Sequence, residues 1–215
     1  MKTTFKLIIA ITILFFATNL LMAQSQLSSK ALKQISKLAH KDAKKKIKEG
    51  FFVTPGALPM EMQLENSYIK QRETNEDGQP KYLTSTGNSV AESQTAAREA
   101  AVQSARVNLA GQIGSRVGAL IEGNYANQQL KPDEAASVTK TVSASKTIIA
   151  EQLGSIIPLS EIYKNLGKTV NVDIILSYNT ATAFDIAKKV IRKSLEEETK
   201  ITQEKLEGLM NFKNK

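Results

Sequence analysis

Residues 89 to 124 read SVAESQTAAREAAVQSARVNLAGQIGSRVGALIEGN, and this stretch restricts the fold more than any other. Ala97, Ala101, Ala105, Leu109, Ile113, Val117, Leu120 and Ile121 recur at steps of three and four, which places them on one stripe of a helix. Ala110, Gly114 and Gly118 follow each other at steps of four. Small side chains at that spacing make a flat strip on which another helix can lie closely. A glycine inside a helix costs about 1 kcal/mol relative to Ala, so such a run implies a packing gain that offsets it. Ser89 and Glu92 have the spacing of a capping box at the start, and Gly123-Asn124 suits the end. A helix of that span is roughly 45–50 Å long. Gly87, just before it, is expected to end the preceding element, and Gly114→Leu is expected to damage the fold more than Gly87→Ala.

Around this helix the chain has 215 residues, 41% of them hydrophobic, which suffices for one domain with an aliphatic core. It has no Cys, so thiolate nucleophiles and thiolate metal sites are excluded together. One His, His40, excludes multi-His metal centres and argues against a Ser-His-Asp site. The expected cofactor set is empty, with neither a metal site nor a catalytic group.

Residues 1–23 read as a signal peptide of the Sec type. Lys2 and Lys6 form the positive start, Leu7 to Ala17 the apolar run, and Leu21-Met22-Ala23 the cleavage region. No Cys follows, so a lipid anchor is not expected. The reading is a bacterial protein that is periplasmic or secreted.

The charge is concentrated. Residues 24–50 hold eight Lys against Asp42 and Glu49, whereas residues 51–215 hold 19 basic and 19 acidic side chains. Residues 24–50 form a basic amphipathic helix, with Leu32, Ile35, Leu38, Ala39 and Ile47 sharing its apolar face. Two roles suit it: docking on the main domain by that face, or resting weakly on an anionic surface through Lys41, Lys44, Lys45 and Lys48. Vesicle binding of the second kind is weak, salt-sensitive and lost when those four lysines become Gln.

Residues 51–80 comprise a crossing segment broken by Pro55, Gly56 and Pro59, then a short helix over 60–72 with Leu64 and Tyr68 facing in, then a turn at Asn75-Glu76-Asp77-Gly78. Residues 81–198 form the main unit. It begins with a strand over 81–86 and continues with the Ala-rich helix. A second helix follows, with Pro132 in its first turn and Val138, Val142, Ser145, Ile149 and Leu153 on its stripe. Strands over 155–164 and 169–178 make a hairpin about Asn165-Leu166-Gly167-Lys168, the second strand alternating through Val170, Val172, Ile174, Leu176 and Tyr178. Pro158 points the first of these toward a sheet edge. A last helix starts at Asn179 or Thr180 and buries Phe184, Ala187, Val190, Ile191 and Leu195. Residues 199–215 read as a frayed helical tail. The fold class is α+β: a small antiparallel sheet of about three strands, covered on one face by long helices.

Residues 81–195, with Ala105-Arg106-Val107-Asn108-Leu109-Ala110-Gly111-Gln112-Ile113 at their centre, resemble a bacterial module. It is that of the small outer-membrane lipoproteins first known from Helicobacter, related to the N-terminal domain of flagellar assembly protein T. Over its whole length, including Thr54-Pro55-Gly56-Ala57-Leu58-Pro59, the chain is more similar to uncharacterised exported proteins of Bacteroidetes. The resemblance implies an envelope interaction or assembly protein and carries no catalytic residue, and the absence of Cys departs from the lipoproteins.

A search for chemistry finds no P-loop, no dinucleotide glycine fingerprint, no H-E-x-x-H and no G-x-S-x-G. Gly111-Gln112-Ile113-Gly114 matches the bare G-x-x-G of RNA-binding domains but falls in mid-helix, where close packing is the better reading. Glu92 and Glu99 read as helix-surface charge, and His40 as a surface residue. The expected function is a non-catalytic exported envelope protein acting as an interaction or assembly module. Its partner is an envelope protein or assembly, not nucleic acid, and the sequence leaves the oligomeric state open. The alternative is an envelope enzyme using dispersed carboxylates or hydroxyls.

Overall fold

The computed structural model describes residues 27–154 and 156–212. The expected signal peptide, residues 1–23, lies outside them, as does Ser155. In chain order the elements are α1 (Ser29–Lys48), β1 (Phe51–Phe52), α2 (Met60–Arg72), β2 (Tyr82–Ala91), α3 (Gln94–Glu122), α4 (Pro132–Ala144), α5 (Lys146–Gln152), β3 (Pro158–Asn165), β4 (Val170–Asn179), α6 (Thr180–Glu198) and α7 (Gln203–Met210). The four strands form one antiparallel sheet in the order β1-β3-β4-β2. The α+β class holds, with one strand more than expected. That strand is the start of the crossing segment: Phe51 and Phe52 pair with Lys164 and Tyr163 before Pro55 stops the run. Pro158 opens β3 beside a register irregularity, in the stretch that β1 does not reach.

The Ala-rich helix begins later than its sequence suggests. Residues up to Ala91 stay extended, because Ser89, Val90 and Ala91 pair with Val172, Asn171 and Val170. Ser93, not Ser89, is the cap, and its hydroxyl accepts from Ala96 N at 3.2 Å. Glu92 therefore precedes the helix and makes no pair with Glu99 on it. Gly87 does not end an element. It sits inside β2 opposite Ile174, and a Cβ there would lie 1.9 Å from Ala101 O and 2.8 Å from Ala105 N. The strand and the helix meet backbone to backbone at this point, so Gly is obligatory.

The expected stripe of α3 is the floor of the main core: Ala97, Ala101, Ala105, Leu109, Ile113, Val117 and Ile121 are all wholly buried. Gly114 faces Lys146 Cγ at 3.1 Å and Gly118 faces Val142 Cγ1 at 3.1 Å, so the small-residue strip does receive the second helix. At Gly114 the neighbour is the flexible arm of Lys146, whereas at Gly87 it is backbone, so Gly87 is the more demanding position. The second helix keeps its predicted stripe but breaks at Ser145, whose hydroxyl donates to Thr141 O at 2.9 Å. Beyond α6 the described residues include a further helix. Helix α7 folds back, buries Leu206, Leu209 and Met210 in the main core, and is tied by Lys205 to Glu134 at 2.7 Å and by Arg192 to Glu207. The sequence pattern gave a helical tail but not the irregular stretch over 199–202 that returns it.

The sheet is covered on both faces, not one. Val172, Ile174 and Leu176 face the main core. On the other face a smaller core gathers Ala39, Ala43, Phe51, Met60, Leu64 and Ile162, with Ile175 packed against it. Helix α1 docks there through Ile35, Ala39 and Ala43, one turn apart. The broader apolar face expected for it is corrected: Leu32, Leu38 and Ile47 stay exposed. Tyr68 on α2 donates to Asp42 on α1 at 2.8 Å, and Lys46 reaches Asp173 on β4 at 2.6 Å while lying 4.3 Å from the Phe51 ring centre.

Candidate functional site

Among the described residues a groove of about 1210 Å³ lies where helices from the two faces of the sheet meet. Leu27 and Leu32 form one lip and Ile69 with residues 73–81 form a second wall. The far wall is Arg116, Ala119 and Leu120 of α3 with Asn179, Thr180, Ala181 and Phe184 at the start of α6. Leu27, Leu32, Ile69, Ala119, Leu120 and Phe184 make much of its lining apolar, and Glu76, Asp77, Lys81 and Arg116 add charge.

Each wall follows from local sequence. The turn at Asn75 is an Asx turn: its side-chain oxygen accepts from Asp77 N at 3.1 Å and Gln79 N at 2.8 Å, and Gly78 takes a positive φ. This presents Glu76 and Asp77 to solvent. Glu73 is held by Lys70 at 3.0 Å. Asn179 caps α6 by accepting from Thr182 N at 3.0 Å, which sets the opening turn of that helix beside the groove. Arg116 projects from the last third of α3 and makes no ion pair or hydrogen bond among the described residues, and the side chains of Glu76 and Asp77 make none either. The 73–81 segment thus brings the carboxylates of Glu76 and Asp77 and the ammonium of Lys81 to the groove, and α3 brings the guanidinium of Arg116.

The surface lysines read from the sequence are elsewhere. Lys41, Lys44, Lys45 and Lys48 are exposed on α1, with Lys45 3.9 Å from Glu49. Their neighbour Lys46 is the one the fold uses. His40 is a surface residue whose Nδ1 lies 2.9 Å from Glu61 Oε2. Among the described residues no group of three His, Asp or Glu side chains is arranged to hold a metal ion. No helix among them is long and apolar enough to cross a membrane.

Two tyrosines have displaced titrations. Tyr68 is pushed up to about 12 by burial and by its hydrogen bond to the Asp42 carboxylate. Tyr163 is likewise pushed up to about 12 by burial and by its hydrogen bond to Glu161. Glu161 also accepts from Arg98 at 2.9 Å, and its backbone N–H donates to Gln63 at 2.7 Å. This cluster ties α2, α3 and β3 together.

Neither a family model, nor a curated protein, nor a solved structure matches this chain. The groove was not legible beforehand, because Arg116, Ile69 and Ala181 come from three helices far apart in sequence. The one local sign was Arg116 itself, an exposed cation on the side of α3 away from its small-residue face.

Proposed function

We propose that the protein is a non-catalytic, exported module of the bacterial cell envelope that holds an extended segment of a partner protein in this groove. The observation that carries the reading is the groove's make-up: apolar side chains from four helices, an unpaired Arg116 on α3, and Glu76, Asp77 and Lys81 from the turn. Small-molecule sites are usually about 300–1,000 Å³ and enclose most of their ligand. A larger open channel whose lining is apolar between an Arg116 cation and a turn bearing both acids and Lys81 suits an extended peptide with charged side chains set among apolar ones. The acids come from one loop and none faces another across the groove, so general acid and base are not paired as hydrolysis requires. Export rests on the signal-like sequence of residues 1–23.

The test is site-specific photo-crosslinking in the native host. A crosslinker at Ala119 in the groove is expected to give a discrete protein adduct that Arg116→Glu removes. The same group at Leu166, on the hairpin tip, gives none. Equal labelling from both positions, or an adduct indifferent to Arg116→Glu, overturns the reading.

A further inference from the structure

Strand β2 lies at the edge of the sheet, and its ten residues contain neither a charge nor a Pro. Such an edge is a template for pairing with another chain, and folded proteins close it with charges, prolines, bulges or covering elements. Which backbone groups face outward follows from one bond. Lys81 O accepts from Thr180 N at 3.0 Å, so the odd-numbered residues of this strand turn their N–H and C=O toward β4. The even-numbered residues, Thr84, Thr86, Asn88 and Val90, turn theirs away from the sheet.

Two of those outward carbonyls are already taken by the helix that runs beside the strand. Gln112 Nε2 donates to Thr84 O and Asn108 Nδ2 donates to Thr86 O, each at 3.3 Å. Asn108 and Gln112 are one turn apart on α3, so their amides descend along the edge at the two-residue spacing of its outward groups. They reach it because Gly87 lets α3 approach the strand so closely.

We infer that Asn108 and Gln112 are a guard that keeps β2 from pairing with β2 of a second copy of this chain. The edge is self-complementary without the guard. In an antiparallel pair about a twofold axis at Gly87, the outward residues Thr84, Thr86, Asn88 and Val90 of one copy face Val90, Asn88, Thr86 and Thr84 of the other. No charged side chain on the strand opposes this ladder. Half of the carbonyls it needs are those of Thr84 and Thr86, and the two amides also occupy the space the second strand must enter. The inference is independent of the groove and of its occupant.

The experiment replaces both guards, Asn108→Ala with Gln112→Ala. Ala favours a helix, so α3 is retained. Sedimentation velocity on the full chain is expected to show a concentration-dependent dimer in the double variant only. Hydrogen exchange is expected to show at least tenfold slower exchange of the Thr84, Thr86, Asn88 and Val90 amides at high concentration. Adding Thr86→Lys, which places like charges near each other across the axis, returns the variant to the wild-type state. A folded double variant with unchanged sedimentation and unchanged exchange overturns the inference. So does a wild-type protein whose own Thr84–Val90 amides become protected with concentration. If the double variant loses its circular dichroism, Gln112→Ala alone is measured in the same way against the same two outcomes.

Discussion

The two cores of this molecule are built on opposite faces of one sheet and hold it in different ways. The main core contains backbone contact: at Gly87 the strand β2 touches α3 with no room for a methyl group, and Ala101 and Ala105 leave none on the helix side. The smaller core joins α1 and α2 to the sheet through a few side chains, Ala39, Ala43, Phe51, Met60, Leu64 and Ile162, supplemented by polar ties from Tyr68 and Lys46. Close backbone packing tolerates almost no added volume. A side-chain seam has a smaller stake and opens locally. The groove has one wall from each region, so its width depends on the weaker seam.

The largest expected effect is Gly87→Ala. Its methyl collides with Ala101 O, and α3 must leave the strand, at a cost of about 3 kcal/mol or more. Thermal melting checks this, and a variant within 1 kcal/mol of the parent would remove the proposed difference between the cores. Next is Ala39→Asn, which buries a side-chain amide in the smaller core at a cost of about 1–3 kcal/mol. Hydrogen exchange is expected to quicken across α1 and α2 while α3 stays protected. Uniform loss of protection would mean that the two regions unfold as one.

Alkaline titration ranks third. Tyr68 and Tyr163 both have folded values of about 12 against an ordinary 10.0, so the folded state keeps protons that the unfolded state releases. Stability from this source is complete below pH 10 and falls as pH rises toward 12, by about 1.4 kcal/mol for each unit of displacement at most. Tyr68→Phe is expected to flatten the loss at α1 and α2, and Tyr163→Phe the loss in the main core. The smallest effect is Gly114→Ala. The helix gains about 1 kcal/mol of propensity, and the Lys146 arm gives way at 3.1 Å, so melting stays within about 1 kcal/mol of the parent.

Periodic features were legible in the sequence. The stripe of α3, the Val138 to Leu153 stripe and the alternation of β4 each concern one element facing one core, and the residue pattern carries that directly. What escaped was set by long-range pairing. Ser89-x-x-Glu92 is a sound capping box locally, but ladder bonds to Val172 and Asn171 hold the chain extended through it. Tertiary pairing overrode helix-start chemistry there, and it made Gly87 a contact point instead of a stop. The return of α7 buries Leu206, Leu209 and Met210 against the main core and adds ion pairs to Glu134 and Arg192, and no local window contains these partners. The groove is farther still from the sequence, since its walls meet only after both cores have formed.

The strand order has a consequence for timing. β2 pairs with β4, and Asn88 finds Asp173 85 residues further along the chain. Contacts that distant are slow to close, and a strand waiting for its partner is exposed to the wrong one. Helix α3 follows β2 by two residues and can fold against it at once. The amides of Asn108 and Gln112 then chaperone one side of the strand while its other side waits for β4 to arrive.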